Sequence, residues 1–581
     1  MSNKLYFPLL AFALLSTQLP AQTVQLDGHV QDAATREPLA GAVVFVREAK
    51  RNIIANDRGF YSVALPVGVY TLSASYVGYA AREEQVDLRK AQRKDFALRQ
   101  QDVEIAAVTV SAERRANVEK TEMSVEKLDI KTIKRIPALM GEVDVVKAIM
   151  LLPGVQPAAE GTSAFSVRGG SPDQNLILFD KAIVYNASHL MGFFSVFNND
   201  VVNDVKLYKG DIPTAYGGRL SSLLDVTAKN GDMHKLNVNG GIGLISSRLE
   251  VDGPIVDNKL SFLVAGRRTY ADLFLPLAPD EFKEIQDAVL HFYDLNGKLL
   301  YCPTTNDRIS LSGYYGTDAF GMSVAGMEFS NATYTLEWNH LYSDRFFSSL
   351  SVIGSSYGYE MNMGLAGFEA QWKSSISDIG GRADFTYLYG SEGSLHFGAS
   401  SIRHAVAPGD AAASGPTGLI ERHLSTSQAL ESALYAMNQH KLGDRLTVKY
   451  GLRATLFQNV GPALVKRYDQ SYELTDSARY AAGEFFNHYW GVEPRAGLVF
   501  LLGDNSSLKA SYSRTMQYMH LISNSTAGSP IDVWMPSSPS IKPQSAHQGS
   551  LGYFRNFLGD DVEASAEVFY KYMNDVVDYK D

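Results

Sequence analysis

The chain has 581 residues, too many for one ordinary domain and enough for three or more folding units. Lysine and arginine total 53 against 63 aspartate and glutamate, a net charge of −10, which argues against a protein that tracks nucleic-acid phosphates. The single cysteine, Cys302, excludes an internal disulfide and any cysteine-cluster zinc site. The many tyrosines and glycines, 31 and 48, suit β-strands with one apolar and one polar face. A soluble sandwich enzyme would share that composition.

Residues 1–21 read as a secretory signal. Lys4 gives a small positive start, LYFPLLAFALL (Leu5 to Leu15) is an apolar run of the right length, and small residues follow, with cleavage placed after Ala21. A buried helix would share the apolar run, but its place at Met1 favours export. No other stretch reaches ~18 uncharged apolar residues. A membrane crossed after export would therefore have to be crossed by a closed barrel.

Residues 22–100 read as a small β-domain. GHVQD, AGAVVFV, GFYSVAL, VYTLSASYVGY and KDFALR are short strands separated by turn residues such as Asp57, Gly59, Pro66 and Gly68. This spacing suits a sandwich of about seven strands. Gly28-x-Val30-x-Asp32, Pro38-Leu39-x-Gly41-Ala42, Asp57-x-x-Gly59-x-Tyr61 and Leu65-Pro66-x-Gly68-x-Tyr70-x-Leu72, followed by Tyr76-x-Gly78-Tyr79, resemble the carboxypeptidase-regulatory-like domain. That transthyretin-like sandwich precedes many Bacteroidetes-type outer-membrane receptors.

Residues 101–120 change character. VEIAAVTVSA (Val103 to Ala112) is β-prone, and a charged, loosely patterned segment follows. The run can be the last strand of the sandwich with a linker behind it, or an extended segment offered to a partner. From 121 to 232 the pattern is mixed α/β, with a helix-like EVDVVKAIMLL closed by Pro153-Gly154. Leu152-Pro153-Gly154-Val155, Ser166-Val167-Arg168-Gly169-Gly170-Ser171-Pro172-Asp173, Tyr185-Asn186-x-Ser188-His189, Gly192-Phe193-Phe194-Ser195, Lys209-Gly210 and Tyr216-Gly217-Gly218-Arg219-Leu220 occur in order. Together they resemble the plug of TonB-dependent outer-membrane receptors. After Asp180, where the family turns on glycine, this chain has Lys181.

Residues 233–581 read as successive hairpins. In Val562 to Val568 the apolar members share one face and Glu563, Ser565 and Glu567 the other; Ser507 to Ser513 and Thr333 to Asn339 split the same way. Period two with charges on the second face suits lipid outside and a wet lumen inside. Leu442-Gly443-Asp444-Arg445 and Leu502-Gly503-Asp504-Asn505 are expected to be periplasmic turns, and 403–427 and 461–487 extracellular loops. At roughly 20 to 25 residues per strand with its connection, this region supplies about 14 to 17 strands, where plugged transporters have about 22. The last residues resemble a mid-barrel strand, so the chain is expected to be a truncated receptor.

The expected fold is therefore mainly β: a sandwich (22–100), a box and linker (101–120), an α/β plug (121–232) and a transmembrane antiparallel barrel (233–581). The resemblance implies that Ile105, Ala107, Val108, Thr109 and Val110 form the TonB box, which pairs as a strand with periplasmic TonB, driven by ExbB–ExbD. It also implies that Arg168, Gly169, Gly170, Asp180, Tyr216, Gly217 and Arg219 hold and gate the plug. Arg168 and Arg219 invite a ligand role, but a plug in a polar lumen must pair its charges, so ion pairs to inward carboxylates are expected. Trp338 and Trp490 are assigned to interfacial girdles; Trp534 stays open between girdle and ligand.

Enzymatic signals are weak. Gly354-Ser355-Ser356-Tyr357-Gly358 formally matches a nucleophile elbow, yet no helix pattern follows it. The sequence holds neither H-E-x-x-H nor G-x-x-x-x-G-K-[ST], so no zinc protease is announced and ATP is not the direct energy source. No catalytic residue, metal ligand or cofactor is assigned. The expected activity is energised import of a scarce solute (siderophore, cofactor-like molecule, glycan or peptide), with outer-membrane lipid and a surface lipoprotein as further partners. The rival is an exported β-rich binding or adhesion protein.

Overall fold

The computed structural model describes residues 23–100, 117–133, 144–158, 163–522, 533–558 and 562–577, apart from scattered positions within them. The signal at 1–21 and the box residues Ile105, Ala107, Val108, Thr109 and Val110 lie outside the described residues.

The first unit is a two-sheet sandwich. Thr23–Asp32 pairs with Phe60–Pro66 on one side and with the short Gln92–Arg93 and Phe96–Leu98 on the other. The facing sheet runs Arg51–Ile54, Val43–Val46, Gly68–Ser75, Arg82–Leu88. Alternate residues of both sheets, Leu26, Val44, Val63, Leu72, Val86 and Phe96 among them, close into one apolar core. Asp32 shapes the loop after the first strand: its carboxylate accepts the amides of Ala34 and Thr35 at 2.6 and 2.7 Å and the Tyr79 hydroxyl at 2.7 Å.

The second unit is a five-stranded sheet in the order Ala182–Ile183, Asn175–Phe179, Ser222–Ala228, Val202–Tyr208, Val125–Asp129. The second and third of these are parallel and the other neighbours antiparallel. The helix is shorter than EVDVVKAIMLL suggests, Val145–Met150. Asp144 caps it, accepting from Val146 and Lys147 while its second oxygen takes the Ser195 amide. Its buried Val146 and Ile149 pack with Val205, Leu224 and Val226, and with Leu263, Ala265 and Tyr314 of the third unit.

The third unit is a sixteen-stranded antiparallel sheet running from Asn237–Ile242 to Val562–Asn574. Fifteen strands follow one another in order, and Gly418–His423 pairs off the path with Gly393–Gly415. Period two sorts the faces. On Val289–Tyr301, Tyr293, Leu295, Leu299 and Tyr301 point out, while Phe292, Asp294, Asn296 and Lys298 point in and are buried against the second unit. The apolar residues expected on the outer face, such as Val568 and Leu508, are exposed, and Glu567 and Lys509 point inward. Gly354 to Gly358 lies inside the strand Phe346–Leu365, as expected of a barrel strand rather than an elbow.

Short connections lie at one end of this wall, at 442–446 and 503–506 as expected, and long ones at the other. The expected loop at 403–427 is mostly strand. Gly393–Gly415 has 23 residues and carries the sheet well past the ~25 Å apolar band. Pro408 and Gly409 hid it in the sequence. They sit in a bulge opposite Ser374, where a missing N–H costs the ladder nothing. The 461–487 stretch holds a hairpin of its own, Ala463–Tyr468 with Leu474–Tyr480. No helix among the described residues is long and apolar enough to cross a membrane.

Candidate functional site: the plug against the barrel wall

The α/β unit fills the lumen, and named plug residues meet inward side chains of the wall. Arg168 and Gly169 take left-handed backbone conformations (φ 50° and 74°), which turn the arginine toward the wall. Its guanidinium donates to Ser124 Oγ at 2.6 Å and Glu567 Oε2 at 2.9 Å, and lies 4.6 Å over the Phe569 ring. Gly170 is packed so closely on Ser221 that a β-carbon would collide with it. Lys571 in turn donates to the Ser221 hydroxyl at 2.9 Å.

Asp180 and Lys181 form the tight turn between Asn175–Phe179 and Ala182–Ile183, at φ 44° and 72°. The turn is kept without glycine. Lys181 uses its side chain to reach Glu337 Oε1 and Ser349 Oγ on the wall, both at 2.8 Å. Lys298 lies 3.2 Å from the Asp180 carboxylate.

Wall cations also grip the segment 211–217. Lys449 bonds the Asp211 carboxylate, and Arg495 donates to the carbonyls of Ile212 and Pro213 at 2.9 and 2.6 Å. Arg453 reaches the Ala215 carbonyl at 3.1 Å and packs on Gly217, while Arg382 stacks 4.5 Å over the Tyr216 ring. Arg453 and Arg495 are themselves neutralised by Glu431 and Glu493.

Arg219 departs from expectation. It is buried, yet among the described residues no carboxylate lies within 4 Å of it. Its one hydrogen bond runs to the Gly218 carbonyl, and its guanidinium lies 5.1 Å over Trp534 and 5.9 Å over Tyr185. Aromatic quadrupoles replace the expected ion pair. Sequence could not reveal this, because Trp534 belongs to a hairpin more than 300 residues away, Met519–Ile522 with Val533–Pro536.

That hairpin folds inward at the long-loop end and lies over the plug. Tyr185 meets Trp534 edge-on at 5.1 Å and donates to Asp378 at 2.7 Å; His404 bonds the same carboxylate at 2.8 Å. Tyr357, Tyr359 and Trp372 complete an aromatic lining. Trp338 and Trp490, by contrast, stay exposed on the outer face of the wall.

His189 was quoted in the plug motif, but its partners carried no sequence signal. It stacks on Phe292 at 4.2 Å and bonds Asp318 at 2.6 Å, with Asp294 3.5 Å away. Arg267 holds Asp294 at 2.6 Å and donates to the Ser195 carbonyl at 2.8 Å. The plug is thus moored by buried and half-buried polar contacts, together with apolar seams at Leu263, Ala265 and Tyr314, at Phe292, and at Tyr357 and Trp534.

This architecture, a polar barrel corked from within and preceded by a β-sandwich, defines a class of outer-membrane receptor. Residues 264–581 match the family described as "TonB dependent receptor-like, beta-barrel", and residues 26–110 match the "CarboxypepD_reg-like domain". The chain belongs to the TonB-dependent receptors, a family of receptors and transporters rather than enzymes.

Solved structures share the fold at low sequence identity. The copper transporter OprC is 12% identical with a TM-score of 0.56, over 77% of this chain and 72% of that one. The siderophore receptor PirA from Acinetobacter baumannii is 13% identical with a TM-score of 0.54, over 81% and 72%. The FrpB iron transporter from Neisseria meningitidis is 13% identical with a TM-score of 0.55, over 78% and 73%. No curated protein matches the chain in sequence.

Proposed function

We propose that the protein resides in the outer membrane, binds a scarce extracellular solute at the aromatic outer face of the plug, and imports it with energy from TonB–ExbB–ExbD. The carrying observation is the mooring of the plug by many separate polar contacts against a sixteen-stranded wall. Such a plug can shift without unfolding the strands around it. The absence of an ATP-binding loop from the sequence leaves a partner as the energy source.

In this reading 1–21 is the signal, 22–100 the sandwich, 121–232 the plug and 233–581 the barrel. Ile105, Ala107, Val108, Thr109 and Val110 are the strand offered to TonB. Arg168, Gly169, Gly170, Asp180, Tyr216, Gly217 and Arg219 hold the plug and let it move. Tyr185, Tyr357 and Trp534 are the first candidates for ligand contact. The neighbours named for copper, siderophore and iron keep metal complexes in view beside glycans and peptides, and a surface lipoprotein is a further candidate partner.

Deleting residues 103–112 tests the coupling. Solute binding should survive and energised uptake should be lost; uptake that persists overturns the box assignment.

A further inference from the structure

The rings of Tyr185 and Trp534 hold the Arg219 cation, but they leave most of its N–H groups unspent. The residue is only 6% exposed, and among the described residues one hydrogen bond is made by its guanidinium, to the Gly218 carbonyl at 2.9 Å. A guanidinium carries five N–H donors in its plane. An aromatic ring attracts the charge without accepting those donors as an oxygen would.

Arg219 lines a cavity of about 70 Å³ between the plug and the inward hairpin, together with Tyr185, Asn186, Ser188, Tyr357 and Trp534. Ile177, Val184 and Leu521 make much of the remaining lining apolar. The space suits a few waters or one carboxylate-sized group, not a whole solute. It lies at the long-loop end of the wall, beneath Met519–Ile522 and Val533–Pro536.

Acceptors around this cavity are already engaged. Asn186 Oδ1 accepts the Ser188 amide at 3.0 Å and its hydroxyl at 2.6 Å. Asp173 accepts from the Ser171 hydroxyl and, at 2.9 Å, from Gln517. On the wall, Asp378 accepts from Tyr185 and bonds His404, while Glu431 lies 3.8 Å from both His404 and Arg453.

Donors are not. Besides the guanidinium there is the Asn186 side-chain amide, whose one partner among the described residues, the Tyr357 hydroxyl, is 3.5 Å away. Spare donors beside a fixed positive charge favour an oxygen anion over a neutral group or a cation. Water can serve the same donors. A carboxylate does more, because it takes two parallel N–H bonds from one guanidinium and adds charge attraction in a site shielded from bulk solvent.

We propose that this cavity is an anion subsite: Arg219 and Asn186 take a carboxylate-like group at the end of the solute, and the apolar stem behind that group lies against Trp534. That the occupant is the transported solute rests on the transport reading above; the anion subsite itself does not. A neutral glycan offers no such group, whereas a peptide ends in one and metal-chelating acids carry several.

The test uses the full chain in detergent micelles and two probes of the same shape, benzoate and its neutral counterpart benzamide, titrated by calorimetry. Benzoate should bind at least tenfold more tightly than benzamide. Arg219→Gln should bring the two affinities together, and Arg219→Lys should keep part of the preference. Asn186→Asp retains the bonds from Ser188 while placing a fixed carboxylate in the cavity. It should weaken benzoate at least tenfold and leave benzamide unchanged, which keeps the test open where an Arg219 variant fails to fold.

Equal affinity for the two probes, no binding of benzoate, or a preference for benzoate that survives Asn186→Asp overturns the subsite. Recovery of the protein away from the outer membrane, with the preference for benzoate intact, would instead strike the transport reading alone.

Discussion

The plug and the sandwich both touch the barrel, but by different chemistry. The plug meets the wall through side chains of opposite charge, half-buried in Arg168 with Glu567 and Lys181 with Glu337, buried in Lys298 with Asp180 and His189 with Asp318. The sandwich meets the rim mainly through backbone groups, with Arg308 donating to a carbonyl and Glu37 accepting from an amide. Buried charges are costly to leave unpaired, so the plug is specified in one seat. The sandwich's few contacts, buried at Glu37, Asn230 and Met233, are mainly single hydrogen bonds to backbone groups, which cost less to break and remake than paired charges. The first interface sets a resting seat in which each of these charges has its partner; the second holds by fewer and mostly neutral bonds.

The largest effect is expected where a buried charge is left alone. Asp294→Ala strips Arg267 and His189 of a fully buried partner and should cost about 3–5 kcal/mol in thermal or denaturant unfolding. Replacing Arg267 by Met in the same chain should recover much of the loss; no recovery would mean that the unpaired Arg267 charge is not its cause. Lys181→Gly should come next. Glycine relieves a left-handed backbone by about 1–2 kcal/mol, but it abandons Glu337, whose half-buried carboxylate keeps only Ser349 and Asn339 and outweighs the gain. A net loss is therefore expected in melting temperature, and a rise would show that the turn, not the ion pair, dominates.

At the rim, effects should be smaller. Arg58→Ala removes a partly buried hydrogen bond and a cation–π contact, about 1 kcal/mol each. It should increase hydrogen exchange at the short-turn rim without changing exchange within the plug. The weakest signal is pH dependence. Burial pushes the Glu37 carboxyl up to about 7, against the pull of Lys298 and Arg308, with Asp32 adding to the rise. The docked state then binds more protons than the undocked one between the ordinary carboxylate value and about 7. Docking should thus be complete at low pH and weaken as pH rises through about 7. Hydrogen exchange in the Ala33–Glu37 loop should quicken over that window, and Glu37→Gln should flatten the curve. A curve unchanged by Glu37→Gln would remove this residue from the account.

The same contrast explains what was legible in the sequence. The wall could be read because period two marks every strand, so Glu567 and Lys509 were placed on the inner face before any partner was known. The plug could be read because its turns demand particular residues in order, such as Arg168-Gly169-Gly170. Arg219 is not legible in the sequence because a buried cation can be held by rings as well as by carboxylates, and its rings come from Tyr185 and distant Trp534. The strand through Pro408 has the sequence pattern of a loop because a bulge absorbs what an unbroken ladder rejects. The rim contact left no trace at all. A carbonyl of Ala34 meeting an amide of Met233 depends on no side chain, and the two are about two hundred residues apart.

The central claim is that the long sheet is a lipid-facing wall with the plug seated inside it. Fractionation of cells making the protein, with unboiled and boiled samples run side by side, tests it most directly. The account predicts recovery in the outer membrane and a faster-migrating unboiled form that slows on boiling. Recovery in the aqueous fraction, with no change on heating, would contradict it.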